Sequence, residues 1–127
     1  MTWLAARMKW VMLVSGLLTC TMLYAAVAPR ASLLSTFGEA PEDPVTSLVT
    51  RNWGVLIALV GILLVYGAFR PVHRRLALTV AAASKLAFIG LVLSQGTRWL
   101  SHGAGVAVAV DSVMVLLFGL YLAGSDR

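Results

Sequence analysis

The sequence predicts an all-α polytopic membrane protein, an antiparallel bundle of four transmembrane helices that forms a single domain. Hydrophobic residues make up 60% of the 127 residues and charged residues only 12%, a composition typical of membrane proteins rather than of soluble domains. Four stretches are apolar around their whole circumference and are long enough, at about 20 residues each, to cross a bilayer as helices. They comprise residues 10–28, 52–69, 76–94 and 105–123.

The basic residues beside these spans predict the orientation. Two precede the first span and three crowd the connection between the second and third spans: Arg7, Lys9, Arg70, Arg74 and Arg75. Because cytoplasmic connections of membrane proteins are enriched in lysine and arginine, we expect both termini on the cytoplasmic side of a bacterial inner membrane. The long connection 29–51 then faces outward.

The first span has an alternative interpretation as a cleaved signal peptide. Arg7 and Lys9 precede an apolar core, and small residues at positions 26–28 come directly before Pro29, which is the order typical of such peptides. A proline directly after the site disfavours cleavage, and the first helix of a multi-span protein can itself serve as the targeting signal. We therefore expect the span to be retained.

The outward connection contains local structure of its own. Asp43 followed by Pro44 favours a helix start, because an aspartate side chain accepts a free backbone N–H and proline suits the first helical turn. The second helix is therefore expected to begin at Pro44, upstream of its apolar span. The apolar residues of 33–37 predict a short amphipathic turn at the interface, closed by Gly38.

Small residues follow one face of three predicted helices. In membranes such stripes mark places where helices approach closely, so we expect them to pack inside the bundle. The stripes are Gly54, Ala58, Gly61 and Ala68 on the second span, Ala83, Ala87, Gly90 and Ser94 on the third, and Gly105, Ala109, Ser112 and Gly119 on the fourth.

Two formal charges lie within the apolar stretches, Lys85 in the third and Asp111 in the fourth. One unpaired charge at the centre of a bilayer costs about 2.5 to 3.5 kcal/mol on insertion scales. Their depths differ by only a few residues, so we predict that Lys85 pairs with Asp111 inside the bundle. Hydroxyl groups that could support the pair belong to Ser84, Ser112 and Thr19. The pair either fixes which helices meet or forms part of a proton or substrate pathway.

The third connection, residues 95–104, is also expected to face outward, and polar residues in or beside the two outward connections could line a common mouth above Lys85. The candidates are Asp43, Arg51, Asn52, Arg98 and His102. Such a mouth would attract an anionic head group or a carboxylate. The alternative is loop charge that is simply solvated.

Other kinds of chemistry lack suitable residues. The single cysteine, Cys20, cannot form an internal disulfide or a Cys-x-x-Cys pair. The two histidines, His73 and His102, stand in separate connections, and no cluster has metal-ligand spacing. We therefore predict no metal, no cofactor and no catalytic residue. The net charge is +5, and the basic residues cluster beside the apolar runs. This position indicates membrane topology rather than nucleic-acid binding.

The stretches RNWGVLIALVGILLVYGAFRP, LTVAAASKLAFIGLVLSQG and AVDSVMVLLFGLYL resemble the small four-helix bacterial membrane proteins grouped as DoxX-like or as related domains of unknown function. The resemblance covers most of the chain after residue 28 and implies a four-helix membrane fold. It also implies association with redox or assembly complexes of the inner membrane. It supplies no catalytic motif, so no residue gains a role from it.

These observations rank three functions. A non-enzymatic accessory or scaffold protein comes first, with membrane lipids and either a larger membrane complex or a second copy as partners. A proton-coupled or small-molecule transporter using Asp111 and Lys85 comes second, although the chain departs from the small multidrug resistance transporters because residues 10–28 contain no acid. A lipid-directed membrane enzyme comes third, since no nucleophile has an adjacent base.

Overall fold

A computed structural model of the chain describes residues 2–94, 96 and 100–124, with side chains from residue 6 onward. Its elements are helices connected by short turns. They are α1 (Thr2–Cys20), a 3₁₀ turn (Thr21–Leu23), α2 (Tyr24–Val27), α3 (Pro29–Phe37), α4 (Pro44–Phe69), α5 (Pro71–Leu93) and α6 (Gly103–Gly124). The turn and α2 continue the direction of α1, so residues 2–27 form one rod.

Proline and glycine set the ends of several helices. Pro29, Pro44 and Pro71 each occupy the first turn of a helix, where the missing N–H of proline costs nothing. Asp43 caps α4 by accepting the backbone N–H of Thr46 at 2.7 Å. Gly38 ends α3 in the left-handed conformation, with φ of 78°, a conformation that glycine adopts without penalty. The start of α4 and the end of α3 therefore follow from the local sequence.

The helices α1, α4, α5 and α6 form a ring in which each packs against the next and α6 returns to α1. Sequential neighbours are antiparallel. Gly54 faces Ala26 and Gly67 faces Met12 across the α1–α4 interface, so one helix rises where the other descends. All four rods are long and apolar enough to cross a membrane. The prediction of an all-α, antiparallel four-helix membrane bundle is confirmed.

Two ends of the bundle can be distinguished. The termini end carries the start of α1, the end of α6 and the α4–α5 connection. The α3 end carries α3 and the connection from α5 to α6. Helix α3 lies across this end and touches both α4 and α6.

The small residues have different fates on different helices. On α4 the whole stripe is buried against the first rod: a Cβ atom at Gly61 would lie 2.7 Å from the carbonyl oxygen of Gly16 and from the nitrogen of Cys20. On α5, and at Ala109, Ser112 and Gly119 of α6, the stripe residues are exposed, and a Cβ atom at Gly90 or Gly119 would meet nothing within 4 Å. Gly105 of α6 is half-buried, but against the backbone of Leu100 in the connection before the helix. The prediction that all three stripes pack inside the bundle is therefore right for α4 and wrong for α5 and α6.

The hydrophobic core lies in the half of the bundle nearest the termini end, which we call the packed half. Its buried members come from all four rods: Met8, Met12, Leu64, Ala68, Ala77, Leu78, Ala81, Met114 and Phe118. Basic side chains close the same end. Arg74 donates to the carbonyl oxygen of Ala68 at 2.9 Å, and Arg75 donates to that of Leu122 at 3.1 Å. Positive charge at helix C-termini also interacts favourably with the helix dipole.

Candidate functional site

Three polar residues meet in the middle of the bundle at one depth. Thr19 lies eight residues before Val27 at the end of the first rod. Lys85 lies eight residues before Leu93 at the end of α5, and Asp111 eight residues after Gly103 at the start of α6. At 1.5 Å per residue, each lies about 12 Å below the α3 end of its helix.

The structure joins Lys85 to both other residues. Its Nζ lies 2.9 Å from Oδ1 of Asp111 and 3.2 Å from Oγ1 of Thr19. Thr19 donates its own hydroxyl proton to the carbonyl oxygen of Ser15 at 2.7 Å, so its lone pairs remain for Lys85. Because α1 and α5 lie diagonally across the bundle, only a side chain as long as lysine can make this contact.

Burial differs between the two charges. Lys85 is only 6% exposed, whereas the Asp111 side chain is 19% exposed. Burying an unpaired charge in a low-dielectric interior is costly. The 2.9 Å contact gives each of the two charges an opposite charge as its partner. The pair therefore leaves the bundle interior without net charge.

A cavity of about 340 Å³ begins at the pair and extends toward the α3 end. We call this part of the bundle the open half. Its walls come from every long helix and from α3, and most of them are apolar. The lining residues are Leu18, Thr19, Thr21, Met22, Thr36, Trp53, Ile57, Val60, Ser84, Lys85, Phe88, Gly103, Val106, Ala107, Val110, Asp111 and Met114.

The cavity opens sideways between the first rod and α6. These two have the least extensive contact among the four neighbouring pairs of the ring. The lining residues on this side are also exposed: Leu18 by 50%, Val106 by 68% and Val110 by 40%. Since the first rod and α6 are both long and apolar enough to span a membrane, an opening between them would face hydrocarbon when the bundle spans a bilayer.

Two of the three predicted supporting hydroxyls lie beside the pair. Thr19 bonds to Lys85, and Ser84 lines the same cavity. Ser112 instead points outward and donates to the carbonyl oxygen of Val108 at 2.7 Å. It lies one position after Asp111 on the helix, so its side chain emerges on a different face.

The structure does not assemble the predicted outward mouth. Asp43 caps α4, with bonds from Thr46 to both of its oxygens. Arg51 donates to the carbonyl oxygen of Ala26 at 2.7 Å, and Asn52 is exposed beside it. Arg98 lies outside the described residues.

Instead of lining a shared mouth, His102 and Asp43 each contact residues in their own neighbourhood. His102 packs against Gly38, where a Cβ atom would lie 2.5 Å from its ring. The Thr46 hydroxyl and then its backbone N–H hold the pKa of Asp43 below its ordinary value of 3.8. None of the described members of the predicted mouth lines the cavity, because each is engaged locally or points to solvent.

Other polar groups offer no separate chemistry. Within the described part of the chain, no group of histidine, cysteine and acidic residues could hold a metal ion. Cys20 donates weakly to the carbonyl oxygen of Ala58 at 3.7 Å. The first rod and α4 thus use this thiol as a small packing group.

The sequence did not reveal that α3 closes the cavity. Thr36 of α3 and Trp53 of α4 both line it, and Phe37 contacts Trp53 with ring centroids 6.3 Å apart. Pro29 favours the start of a helix at this position, because proline suits the first helical turn. The side on which α3 folds back depends on tertiary contacts and has no local signal.

Comparison of the chain with protein-family models, with curated proteins and with solved structures finds no match. The resemblance to DoxX-like proteins therefore stays a prediction. The described part of the chain combines an apolar cavity, a charge pair at its floor and an opening between the first rod and α6.

Proposed function

We propose that the protein binds a small, largely apolar molecule inside its helical bundle, within the membrane. The apolar part of the ligand occupies the cavity of the open half, and its polar part contacts Lys85 and Asp111. The observation that supports this proposal is the position of the pair at the floor of a cavity of about 340 Å³. Natural ligand sites share this combination of an apolar wall and a few convergent polar groups.

The cavity favours this function over the accessory role that ranks first on sequence grounds. A charge pair that only fixed helix register would be served equally well by a filled interior. Here the pair borders open space, and Asp111 is the more exposed partner. Intramembrane ionisable groups that line a cavity are the usual mark of a ligand pathway.

A binding role also suits the chemistry better than catalysis. The Thr19 hydroxyl donates to Ser15 and the Lys85 ammonium is held by Asp111. Neither arrangement activates a nucleophile, because the Thr19 hydroxyl proton is held by a carbonyl oxygen and the ion-paired Lys85 donates to that hydroxyl rather than accepting its proton. We therefore propose a non-enzymatic protein.

The occupancy of the cavity can be tested with two matched alanines of α6. Ala107 lines the cavity, whereas Ala109, one half-turn away, is exposed on the outer face. Ala107→Phe should fill the cavity and Ala109→Phe should leave it open. The protein is extracted in native nanodiscs and its bound small molecules are identified by mass spectrometry.

A molecule that accompanies the parent protein and Ala109→Phe, but not Ala107→Phe, supports the proposal. Equal recovery of every lipid and small molecule from all three proteins contradicts it. Thermal unfolding of each variant verifies that Ala107→Phe is folded. Ala107→Leu serves as a milder filling variant if it is not.

The accessory role keeps one observation in its favour. The small residues on the outer faces of α5 and α6 leave backbone accessible at Gly90 and Gly119, as in helices that pair closely in membranes. Under that function, the protein co-purifies with a larger partner in mild detergent, and Gly90→Leu releases the partner. A protein that elutes alone as a monomer contradicts it.

We also propose that both termini lie in the cytoplasm and that the membrane is a bacterial inner membrane. Basic residues gather at the termini end, and Arg74 and Arg75 bind helix C-termini there. Cytoplasmic positive charge is the general rule for such proteins. Single cysteines at Ser47 and His73, each in a Cys20→Ser background, test this orientation: only Ser47→Cys should react with an impermeant maleimide in intact cells.

A further inference from the structure

We infer that the cavity selects a ligand whose polar group is uncharged and both donates and accepts a hydrogen bond, as an alcohol does. This inference rests on the proposed binding function and adds the chemical class of the ligand. It follows from three features of the site: its net charge, its unused hydrogen-bonding capacity and its size.

The charge at the floor of the cavity is already balanced. Lys85 and Asp111 are 2.9 Å apart, so a third charge brought to the site meets attraction from one residue and repulsion from the other. A charged head group would also lose its hydration on leaving water. An uncharged head group meets no such repulsion and loses far less hydration free energy than a charged one, and the pair can remain intact around it.

The pair retains one donor and one acceptor. An ammonium group has three N–H donors, and Thr19 and Asp111 use two of those on Lys85. Asp111 accepts through Oδ1, and no described residue bonds to its other oxygen. A hydroxyl oxygen can accept from Lys85 while the hydroxyl proton is donated to Asp111. An ether or ester group can satisfy only Lys85.

The size and the walls of the cavity favour a short apolar body. A volume of about 340 Å³ lies near the lower end of the roughly 300–1,000 Å³ found for small-molecule sites. The opening between Leu18 and Val106 faces hydrocarbon, so a ligand dissolved in the bilayer can reach the site without crossing water. These features describe a single-chain amphiphile better than a two-chain phospholipid.

The ligand class can be measured by quenching of Trp53, which lines the cavity. The other three tryptophans are replaced by phenylalanine, and the protein is placed in nanodiscs. The probes share one short chain that ends in bromine, which quenches tryptophan: 8-bromo-1-octanol, its methyl ether, 8-bromooctanoate and 8-bromooctylammonium. Each titration is repeated with Ala107→Phe and Ala109→Phe, and only quenching that Ala107→Phe removes is counted as binding in the cavity.

We expect the alcohol to bind at least tenfold more tightly than either charged probe and more tightly than the ether. In the double variant Lys85→Met with Asp111→Leu, the probes should still bind through their chains, but the preference for the alcohol over the ether should disappear. These two results together support the inference.

A charged probe that binds as tightly as the alcohol contradicts the inference and leaves the proposed binding function in place. An alcohol preference that persists in the double variant also contradicts it, because the pair would not be the source of selectivity. Quenching that Ala107→Phe and Ala107→Leu leave unchanged for all four probes contradicts both proposals, since no probe would then occupy the cavity.

Discussion

The interior of the bundle is filled with side chains in the packed half and contains a cavity in the open half. In the packed half, methionine, leucine and phenylalanine side chains from all four rods fill the interior. In the open half, α6 separates from the first rod, a cavity of about 340 Å³ takes the place of side chains, and a charge pair forms its floor. The same helices therefore form a solid core at one end and a candidate binding site at the other.

The difference separates the region whose packing stabilises the bundle from the region that we propose to bind a ligand. Lipid is as apolar as the side chains that it would replace, so close packing, rather than removal from water, holds membrane helices together. The packed half supplies such contacts. In the open half the first rod and α4 still pack closely at Gly54 and Ala58, whereas α6 does not contact the end of the first rod and is joined to α5 by the pair. Four predictions test this comparison, beginning with the largest expected effect.

The largest effect should come from separating the charge pair. Lys85→Met leaves Asp111 buried without its partner, and Asp111→Leu leaves Lys85 in the same situation. An unpaired charge within a membrane helix costs about 3 kcal/mol, so each variant should lose about 2 to 3 kcal/mol of unfolding free energy, given the partial exposure of Asp111. Unfolding in mixed micelles by titration with a denaturing detergent measures the loss.

The double variant Lys85→Met with Asp111→Leu is the control for that prediction. It removes both charges and should lose less than either single variant, because no charge remains without a partner. Additive losses would show that the two residues do not interact. The role of the pair in the open half would then have to be abandoned.

Two phenylalanines compare the halves directly. Phe118 is fully buried in the packed half, whereas Phe88 lines the cavity. Phe118→Ala creates a new void and should cost about 2 kcal/mol, somewhat below the range seen in water-soluble cores because lipid is itself apolar. Phe88→Ala enlarges an existing cavity and should cost about 0.5 kcal/mol. Equal losses in the same unfolding assay would remove the distinction between the halves.

Two glycines test whether close contact or lipid surrounds a helix. A Cβ atom at Gly61 would lie 2.7 Å from the backbone of the first rod, and one at Gly90 would meet nothing. Gly61→Ala should therefore cost about 1 to 2 kcal/mol through forced separation of the helices. Gly90→Ala should be neutral or slightly stabilising, since alanine favours helix. A destabilising Gly90→Ala would indicate that another chain covers this face.

The smallest effect concerns the cap at Asp43. Because hydrogen bonds from Thr46 lower the pKa of this carboxyl below 3.8, ionised Asp43 favours the folded state. That contribution is present above the pKa of the unfolded chain and is lost as the pH falls through the lowered value. Asp43→Asn keeps a capping side chain that does not titrate. The stability difference between the parent protein and Asp43→Asn should therefore change below about pH 4, and a constant difference would contradict it.

Much of the fold follows from the sequence because the bilayer imposes strong rules. Apolar length fixes the spans, and the Asp43-Pro44 pair fixes the start of α4. The small residues show that these rules do not determine which face of a helix points into the bundle. The stripe on α4 packs against the first rod, while the stripe on α5 and all of the α6 stripe except Gly105 face outward, although all three look alike in sequence. Which face of a helix points inward depends on the partners, and one sequence contains little information about them.

The site was partly predictable for a similar reason. Two charges in otherwise apolar helices have few ways to avoid isolation, and the structure brings Lys85 and Asp111 together with Thr19. No feature of the sequence predicts the cavity above them, since most of its lining residues are apolar side chains like those elsewhere in the spans. The predicted outward mouth illustrates the opposite case: exposed groups such as Arg51 and His102 find partners nearby, so proximity in a connection does not imply a shared site.

The most direct test of this account is the distance between the two charged side chains in a lipid bilayer. Lys9 and Lys85 are the only lysines of the chain, and Asp43, Asp111 and Asp126 are the only aspartates. Solid-state NMR of protein labelled with ¹⁵N-lysine and ¹³C-aspartate can therefore detect the pair, with Lys9→Arg to assign the signal. The account predicts a strong dipolar coupling between Nζ of Lys85 and Cγ of Asp111. A folded protein without that coupling would contradict it.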